Sequence, residues 1–322
     1  MPASTPKLNL YLHTYSLRFN LTLNPSYDVF SFIDQAAAEN FDGVCISAND
    51  PNYRHLGGTE SWRFAPIRER IKHHKLLCDI DTSGTEPDHL TIMLQVAKSI
   101  GASKLRTYTR YAGTPDDLVS QTIKDFKVLA PIAEDMGIKV MFENHEVFTG
   151  PEIVRVLEGV NSPFIGALYD YGNSQMVLED PLECLKSMAP FSYSAHLKDH
   201  VMIRPEDSPD GELSVLGVPV GDGFLPIMET TRSLLEAGCN NIVFENSYGY
   251  RAKVKAERMN PESLKLLGKT SFQFAQNPHS NNEAYLLYPE QFSAERLIEL
   301  ENAMHQRTLT WLRSEFAKEG WL

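Results

Sequence analysis

Short apolar runs alternate with longer amphipathic stretches along almost the whole chain. Runs of four to eight apolar residues suit buried strands, whereas apolar positions recurring every three or four residues suit helices packed on a sheet. Regular alternation of the two predicts βα repeats and a parallel sheet. Strands are predicted near Leu8 to Tyr15, Gly43 to Ser47, Lys75 to Thr82, Lys104 to Arg110, Lys139 to Asn144, Ile165 to Asp170, Tyr193 to Leu197 and Asn241 to Glu245. Eight is the number at which such repeats close into an α/β barrel of the (β/α)8, or TIM, type.

Helix boundaries follow the same rhythm. Asn24-Pro-Ser-Tyr-Asp, Thr114-Pro-Asp-Asp and Asp180-Pro-Leu-Glu each place a capping side chain ahead of proline, with acid in the first turn. Gly101 and Gly137 stand where the third and fourth helices of the repeat should end. Two stretches break the pattern. The interval from His196 to Asn241 is nearly double the others, and Ile203 to Gly211 within it is expected to be a long polar loop on the active-site side. Beyond Tyr250 the chain continues through Ser271-Phe-Gln-Phe to a helical pattern at Ala294 to Lys318. We therefore expect a catalytic barrel over residues 1–258 and a C-terminal extension over 259–322 that covers the barrel mouth or meets another chain.

Composition narrows the function classes. The chain has 322 residues, enough for one barrel with an appendage. No run approaches the roughly 20 apolar residues of a membrane span, and the start lacks the basic and apolar regions of a signal peptide. A cytoplasmic protein with no membrane partner is expected. The formal charge of −12 and the absence of a Lys/Arg-dense stripe disfavour a nucleic-acid partner, and point to a neutral sugar or glycoside over a polyanion. Cys45, Cys78, Cys184 and Cys239 are scattered without a CxxC pair and are expected to be reduced core thiols.

Candidate chemistry sits at strand ends. Lys139-Val-Met-Phe-Glu143, Phe164-Ile-Gly-Ala-Leu-Tyr-Asp170, Phe191-Ser-Tyr-Ser-Ala-His196 and Asn241-Ile-Val-Phe-Glu245 each finish in one potential metal ligand. Side chains at the carboxyl ends of barrel strands converge on one point. Three carboxylates and one imidazole suit a hard to borderline divalent ion: Mn²⁺ first, with Mg²⁺, Co²⁺ or Zn²⁺ as alternatives. Alternate strand residues share a face, so His145 accompanies Glu143 and Lys198 accompanies His196. An imidazole there can carry protons near neutral pH, or can serve as an outer hydrogen-bonding group. His13, Tyr15, Asp79, Asp81, Arg106 and Arg110, at the other strand ends, are candidates to bind sugar hydroxyls. Lys198 and Asp199 are read either as an ion pair orienting the His196 loop or as a surface pair.

The order Glu, Asp, His, Glu, in Phe-Glu-Asn-His, Tyr-Asp-Tyr-Gly-Asn, His-Leu-Lys-Asp and Phe-Glu-Asn-Ser, resembles the xylose isomerase-like TIM barrels over roughly Leu8 to Tyr250. That resemblance implies that Glu143, Asp170, His196 and Glu245 hold the metal, and that the two glutamates also flank the substrate and act in catalysis with His145. Gly217-Val-Pro-Val-Gly-Asp-Gly-Phe-Leu-Pro resembles the family's turn after the seventh strand. One departure stands out: epimerases of the family often carry an arginine a few residues after this histidine, and the nearest here is Arg204.

The expected activity is therefore a metal-dependent isomerase or epimerase acting on a keto-sugar or cyclitol through an enediolate, with His13, Tyr15, Arg106 and Lys198 binding substrate. The alternative is a carbon–carbon lyase resembling the larger subunit of C-glycoside deglycosidases, which implies a 3-oxo-C-glycoside substrate and a small second subunit. Tyr248, Tyr250, Phe272 and Phe274 are candidates for its wider mouth. Under the isomerase reading the tail would make a homo-oligomer or a lid. An apurinic-site endonuclease and a non-catalytic binding barrel are the less favoured readings.

Overall fold

The computed structural model describes residues 7–49, 52–280 and 282–322. The barrel strands are β1 (Asn9–His13), β2 (Gly43–Ser47), β3 (Leu77–Asp81), β4 (Lys104–Thr107), β5 (Lys139–Glu143), β6 (Ile165–Asp170) and β7 (Ser192–Leu197). A hairpin then intervenes, β8 (Asp199–Ile203) and β9 (Ser214–Val218), before β10 (Asn241–Phe244) closes the ring and β11 (Arg251–Lys253) follows. All neighbours in the closed barrel β1-β10-β7-β6-β5-β4-β3-β2 are parallel, so the eight predicted strands and the barrel are observed.

Helices α1 (Arg18–Leu23), α2 (Val29–Ala38), α3 (Phe64–His73), α4 (Pro87–Ile100), α5 (Pro115–Met136), α6 (Gly150–Val160), α7 (Pro181–Met188), α8 (Ile227–Glu236) and α9 (Ala294–Lys318) surround it. None of the described helices is long and apolar enough to cross a membrane. Thr114 and Asp117 form the capping box of α5, and the Asp180 carboxylate accepts the Leu182 and Glu183 N–H groups of α7. Gly101 and Gly137 close α4 and α5 at φ 83° and 69°, a backbone conformation that glycine adopts without steric cost. The first boundary differs. Asp28, not Asn24, caps α2, because its carboxylate reaches the Ser31 N–H; the unforeseen α1 lies just before it.

Pleating divides each barrel strand between two environments. Leu10 and Leu12 point to the helical shell, whereas Tyr11 joins Cys45 and Val243 inside. The inner face then becomes polar toward the strand ends. The register sets Ser47 beside Asp81, Asp81 beside Arg106, and Asp170 beside His196. All four cysteines are buried and unpaired, as expected.

The segment after His196 contains the expected polar loop, at residues 204–213. What the sequence did not predict is the sheet that carries it: β8, β9 and β11 form three antiparallel strands, with the loop joining β8 to β9. Met202 and Val215 face one side of it and Val201 and Leu216 the other, an apolar pattern interrupted by the polar Arg204 to Gly211 loop. Both faces of this sheet are covered. Met176, Leu178 and Phe272 pack on one side, and Ala275 and Leu287 on the other. The Ser271 to His279 stretch thus runs along β8, with Met202 exchanging backbone hydrogen bonds with Gln273 and Ala275.

Helix α9 closes the outer ring next to β1. Its Leu309, Leu312 and Phe316, with Trp321, belong to the main barrel core, and the Leu8 N–H donates to the Trp321 carbonyl. Glu301 accepts the Phe19 and Asn20 N–H groups, tying α9 to α1. Phe316 is fully buried. Phe316→Ala should therefore lower unfolding free energy by about 3–5 kcal/mol in chemical denaturation; a loss under about 1 kcal/mol would show that α9 is not part of the barrel core.

Candidate active site

Three side chains converge at the carboxyl end of the barrel. Glu143, Asp170 and His196 offer ligating atoms within 4.8 Å of one another, all buried. His196 Nδ1 is 3.4 Å from Glu143 Oε1 and 3.4 Å from Glu245 Oε2. The loop after β6 fixes Asp170, whose Oδ1 accepts the Gly172 and Asn173 N–H groups at 2.9 Å. Asn144 faces away, as pleating requires, and braces the β6 end by accepting the Asp170 N–H and donating to its carbonyl.

Beneath and beside this group lie fixed cations. Arg106 Nη2 is 2.7 Å from Asp81 Oδ2, and Arg106 Nε is 3.5 Å from Glu143 Oε2. Lys198 Nζ stands 2.8 Å from Asp170 Oδ2 and 2.6 Å from Glu245 Oε2. His13 Nδ1 accepts the Tyr15 N–H, so its Nε2–H donates to Asp81 at 2.7 Å. The tautomer of His13 is thereby set, and a second group of potential ligands, His13, Cys45, Asp81 and His196, is largely satisfied internally, with the Cys45 thiol donating to Asp81.

The charges do not balance. Asp81, Glu143, Asp170 and Glu245 face two permanent cations, Arg106 and Lys198, with the imidazoles of His13, His145 and His196 among them. Burial opposes charge throughout, yet Arg106 and His145 hold the Glu143 carboxyl well below the usual range, and Lys198 and His196 do the same for Glu245. Burial pushes Asp170 up. Against its own burial, His196 is raised to about 10 by Glu245 and Asp81. Excess negative potential is the cause.

Glu143 Oε2, Asp170 Oδ2, Glu245 Oε2 and both His196 ring nitrogens lack a hydrogen-bond partner of acceptable geometry. Native interiors rarely leave such atoms unpaired. A divalent cation fits this donor set: it would satisfy the orphaned oxygens and nitrogen and supply the missing charge.

The cavity above has a volume of about 260 Å³. His13, Tyr15, Arg106 and Lys198 line it, together with Arg110, His145 and Glu245. Asp81 lies below the cavity floor as the partner of His13 and Arg106. Asp79 is elsewhere: it pairs with Lys104 and Ser103 one layer deeper in the barrel. His145 Nδ1 is 3.2 Å from Glu143 Oε2, and its ring stacks on Tyr108 with centroids 3.7 Å apart.

Other expectations are corrected. Asp199 does not pair with Lys198; its carboxylate accepts the backbone N–H groups of His200, Gly221, Gly223 and Leu225, locking the turn after β9. Of the four aromatics considered for the mouth, only Tyr250 lines the cavity. Phe272 is buried under the small sheet, Phe274 stacks with Arg204, and the Tyr248 hydroxyl donates to the Glu283 carbonyl. Arg204 is thus directed away from the site.

Sequence reasoning missed Tyr108, Glu146 and Asn173. Tyr108 was accessible, since it shares a strand face with Arg106. Glu146 was not: its left-handed backbone (φ 40°) turns it to accept the Tyr250 hydroxyl and pair with Lys255 at 3.0 Å, contacts about a hundred residues away in the chain.

A closed parallel barrel with a cluster of potential ligands at its carboxyl end narrows the class, and comparison with known proteins assigns the family. The chain belongs to the xylose isomerase-like TIM barrel family, whose sequence model matches residues 33–270. Relatives include the uncharacterized protein YihM of Escherichia coli K12, 27% identical over 197 residues, or 61% of this chain and 60% of YihM. The match therefore spans less than two-thirds of YihM. The 3-oxo-isoapionate decarboxylase of Pectobacterium atrosepticum is 24% identical over 223 residues, 69% of this chain and 79% of that enzyme. In fold, the D-psicose 3-epimerase of Clostridium cellulolyticum H10, solved with D-tagatose, aligns with a TM-score of 0.62 at 11% identity, over 94% of this chain and 98% of the epimerase.

Two outcomes test the site. Asp170→Ala should remove bound metal from a protein that still melts cooperatively; an unchanged metal content would sink the assignment. Because His196 carries a proton up to pH about 10 in the metal-free protein, ligation must expel it, so affinity should rise by up to about tenfold per pH unit below that value. Calorimetric titrations in buffers of different ionisation enthalpy should report about one proton released per ion at pH 8, and buffer-independent heats would contradict it.

Proposed function

We propose that this chain is a divalent-metal-dependent enzyme, with Mn²⁺ as its ion, that isomerises or epimerises a keto-sugar or cyclitol through an enediolate. The observation that carries the reading is the convergence of orphaned carboxylates and an imidazole beneath a small polar cavity with proton-handling groups on two sides. Glu143, Asp170 and His196 would hold the ion, with Glu245 beside them. When bound, such an ion polarises a ketone oxygen and stabilises the charge that develops as the neighbouring carbon loses a proton.

The protein's own groups supply the rest. Glu143 and His145 form one proton-handling pair at 3.2 Å, and Glu245 and Lys198 another at 2.6 Å. A carboxylate on one side of the substrate can take a proton while a donor on the other returns it. Arg106 and Lys198 present N–H donors to substrate oxygens, and Tyr15, Tyr108 and Tyr250 supply ring faces against a sugar.

A second reading, a carbon–carbon lyase, is favoured by the adjoining cleft of about 340 Å³, which shares Tyr15, Ser47 and Asn49 with the site and adds Arg18 and Phe19. A substituent on the sugar would extend there, and a decarboxylase among the relatives supports bond cleavage next to a ketone.

Incubation of the metal-loaded protein in D₂O with ketohexoses, inosose-type cyclitols, 3-oxo-glucosides and 3-oxo sugar acids, followed by NMR, tests both. Solvent deuterium should enter the carbon next to the ketone, with a new epimer or isomer; cleaved products without an epimer would move the assignment to the lyase, and an unchanged panel would sink both readings. On the responsive substrate, His145→Ala should lower turnover by about two to four powers of ten while retaining metal; full activity would reduce His145 to packing against Tyr108.

A further inference from the structure

Two arginines beside the cavity, Arg18 and Arg54, form no ion pair among the described residues. We infer that the cleft they line binds a compact anionic group of the substrate, a carboxylate or a phosphate, so that the substrate is an acidic sugar derivative and not a neutral one. The inference rests on the keto-sugar reading above and names the substrate class within it.

The cleft, of about 340 Å³, adjoins the cavity and shares Tyr15, Ser47 and Asn49 with it. A sugar in the cavity can therefore carry its acidic group directly into the cleft. Arg18, Arg54 and His55 line it, and its described lining includes no Asp or Glu. That is unexpected in a chain with 42 acidic residues against 30 basic ones. Arginines elsewhere find carboxylates: Arg258 pairs with Glu152 at 2.7 Å and Arg307 with Asp222 at 2.6 Å. The net charge of −12 points to a neutral ligand, and this cleft is a local exception to it.

The two arginines reach the cleft from different parts of the fold. Arg18 begins α1, and its Nη2 donates to the Tyr248 carbonyl at 2.7 Å. Its Cζ lies 4.6 Å from the Tyr15 ring centroid and 4.5 Å from that of Phe19, contacts that hold the guanidinium in place and leave other N–H groups for a ligand. Arg54 follows β2 in a short 3-10 turn, Arg54–Leu56, that starts from left-handed backbone at Asn52 and Tyr53, with φ 53° and 51°. Non-glycine residues adopt that conformation uncommonly. His55 ties the turn to the barrel, because its Nδ1 is 3.0 Å from Thr14 Oγ1, which accepts the Ser47 N–H.

Burial, and after it the charges of His13, Arg54 and Arg18, push His55 down to about 3, so it enters the cleft as a neutral hydrogen-bonding group. Ser47 Oγ accepts the Asn49 N–H at 3.3 Å, which leaves its hydroxyl proton for a ligand at the boundary between cavity and cleft. Two guanidiniums, a hydroxyl donor and no competing acid suit an oxyanion, since the planar N–H fork of arginine matches carboxylate and phosphate oxygens in pairs. A sugar hydroxyl in that place would leave both positive charges unanswered.

Binding of three matched probes tests the inference without recourse to turnover. D-fructose, D-fructose 6-phosphate and D-fructuronate differ only at the terminal carbon, as hydroxyl, phosphate and carboxylate. Each is titrated calorimetrically into the Mn²⁺-loaded full-length chain and into its Arg54→Gln, Arg54→Lys and Arg18→Gln variants, with thermal melts to confirm folding. Arg54 is exposed, so its replacement decides the matter even if Arg18→Gln, which gives up the Tyr248 contact, fails to fold. At least one acidic probe should bind about tenfold or more tighter than fructose, and which one does so separates carboxylate from phosphate. That advantage should disappear in Arg54→Gln and Arg18→Gln, stay within about threefold of the parent in Arg54→Lys, and shrink as salt is raised.

Acidic probes that bind no tighter than fructose, or not at all, would overturn the inference and leave the metal-dependent reading standing. So would an advantage that persists in full in Arg54→Gln, which would put the anion on the ion instead of in the cleft. If an acid binds through the arginines but no ketone exchanges deuterium, the proposed reaction fails and the anion site stands.

Discussion

Uncompensated negative charge at the carboxyl end of the barrel is the constraint on which the rest of the site depends. Asp81, Glu143, Asp170 and Glu245 are all buried, and the fixed cations Arg106 and Lys198 are too few to balance them. Taking a carboxylate out of water is costly unless it is paired and hydrogen-bonded. The barrel meets that cost in part: backbone N–H groups serve Asp170, His13 and Arg106 serve Asp81, and the rise of His196 measures what is left. A divalent ion is the simplest species that completes the balance.

The appended sheet and tail act on this site by holding its edges. Asp199 locks the turn after β9, Lys255 and Tyr250 anchor Glu146, and Gln175 in the loop after β6 donates to the Ser271 carbonyl. Each contact joins a strand end to residues far along the chain. Side chains on so many separate loops keep a common geometry only if those loops are tied together. The stretch following the barrel strands therefore belongs to the support of the cavity.

The two functional readings share their first chemical step and differ in what the substrate carries. Both require a ketone oxygen beside the carboxylate–imidazole group and a proton acceptor next to the adjoining carbon. A cavity of about 260 Å³ matches a single sugar ring, whereas the neighbouring cleft, with its arginine and aromatic lining, matters only for a substrate with a further substituent. Family membership leaves this choice open, because one barrel supports many reactions through its loops.

Much of the architecture was legible in the chain alone. Eight short apolar runs separated by amphipathic stretches predict eight parallel strands, since the runs are too short for helices and a helical period fills the stretches between them. Strand-end position put Glu143, Asp170, His196 and Glu245 at one end of the barrel, and alternation put His145 and Lys198 on the same faces. Tertiary structure decided the rest. Spacing gives direction along a strand but not the distance between side chains on different strands, so it could not tell that Lys198 would insert between Asp170 and Glu245, that Asp79 would pair one layer down, or that Phe272 would be buried beneath a small sheet. Those outcomes depend on barrel closure, which brings together charges separated by scores of residues and lets burial and Coulomb attraction choose their partners.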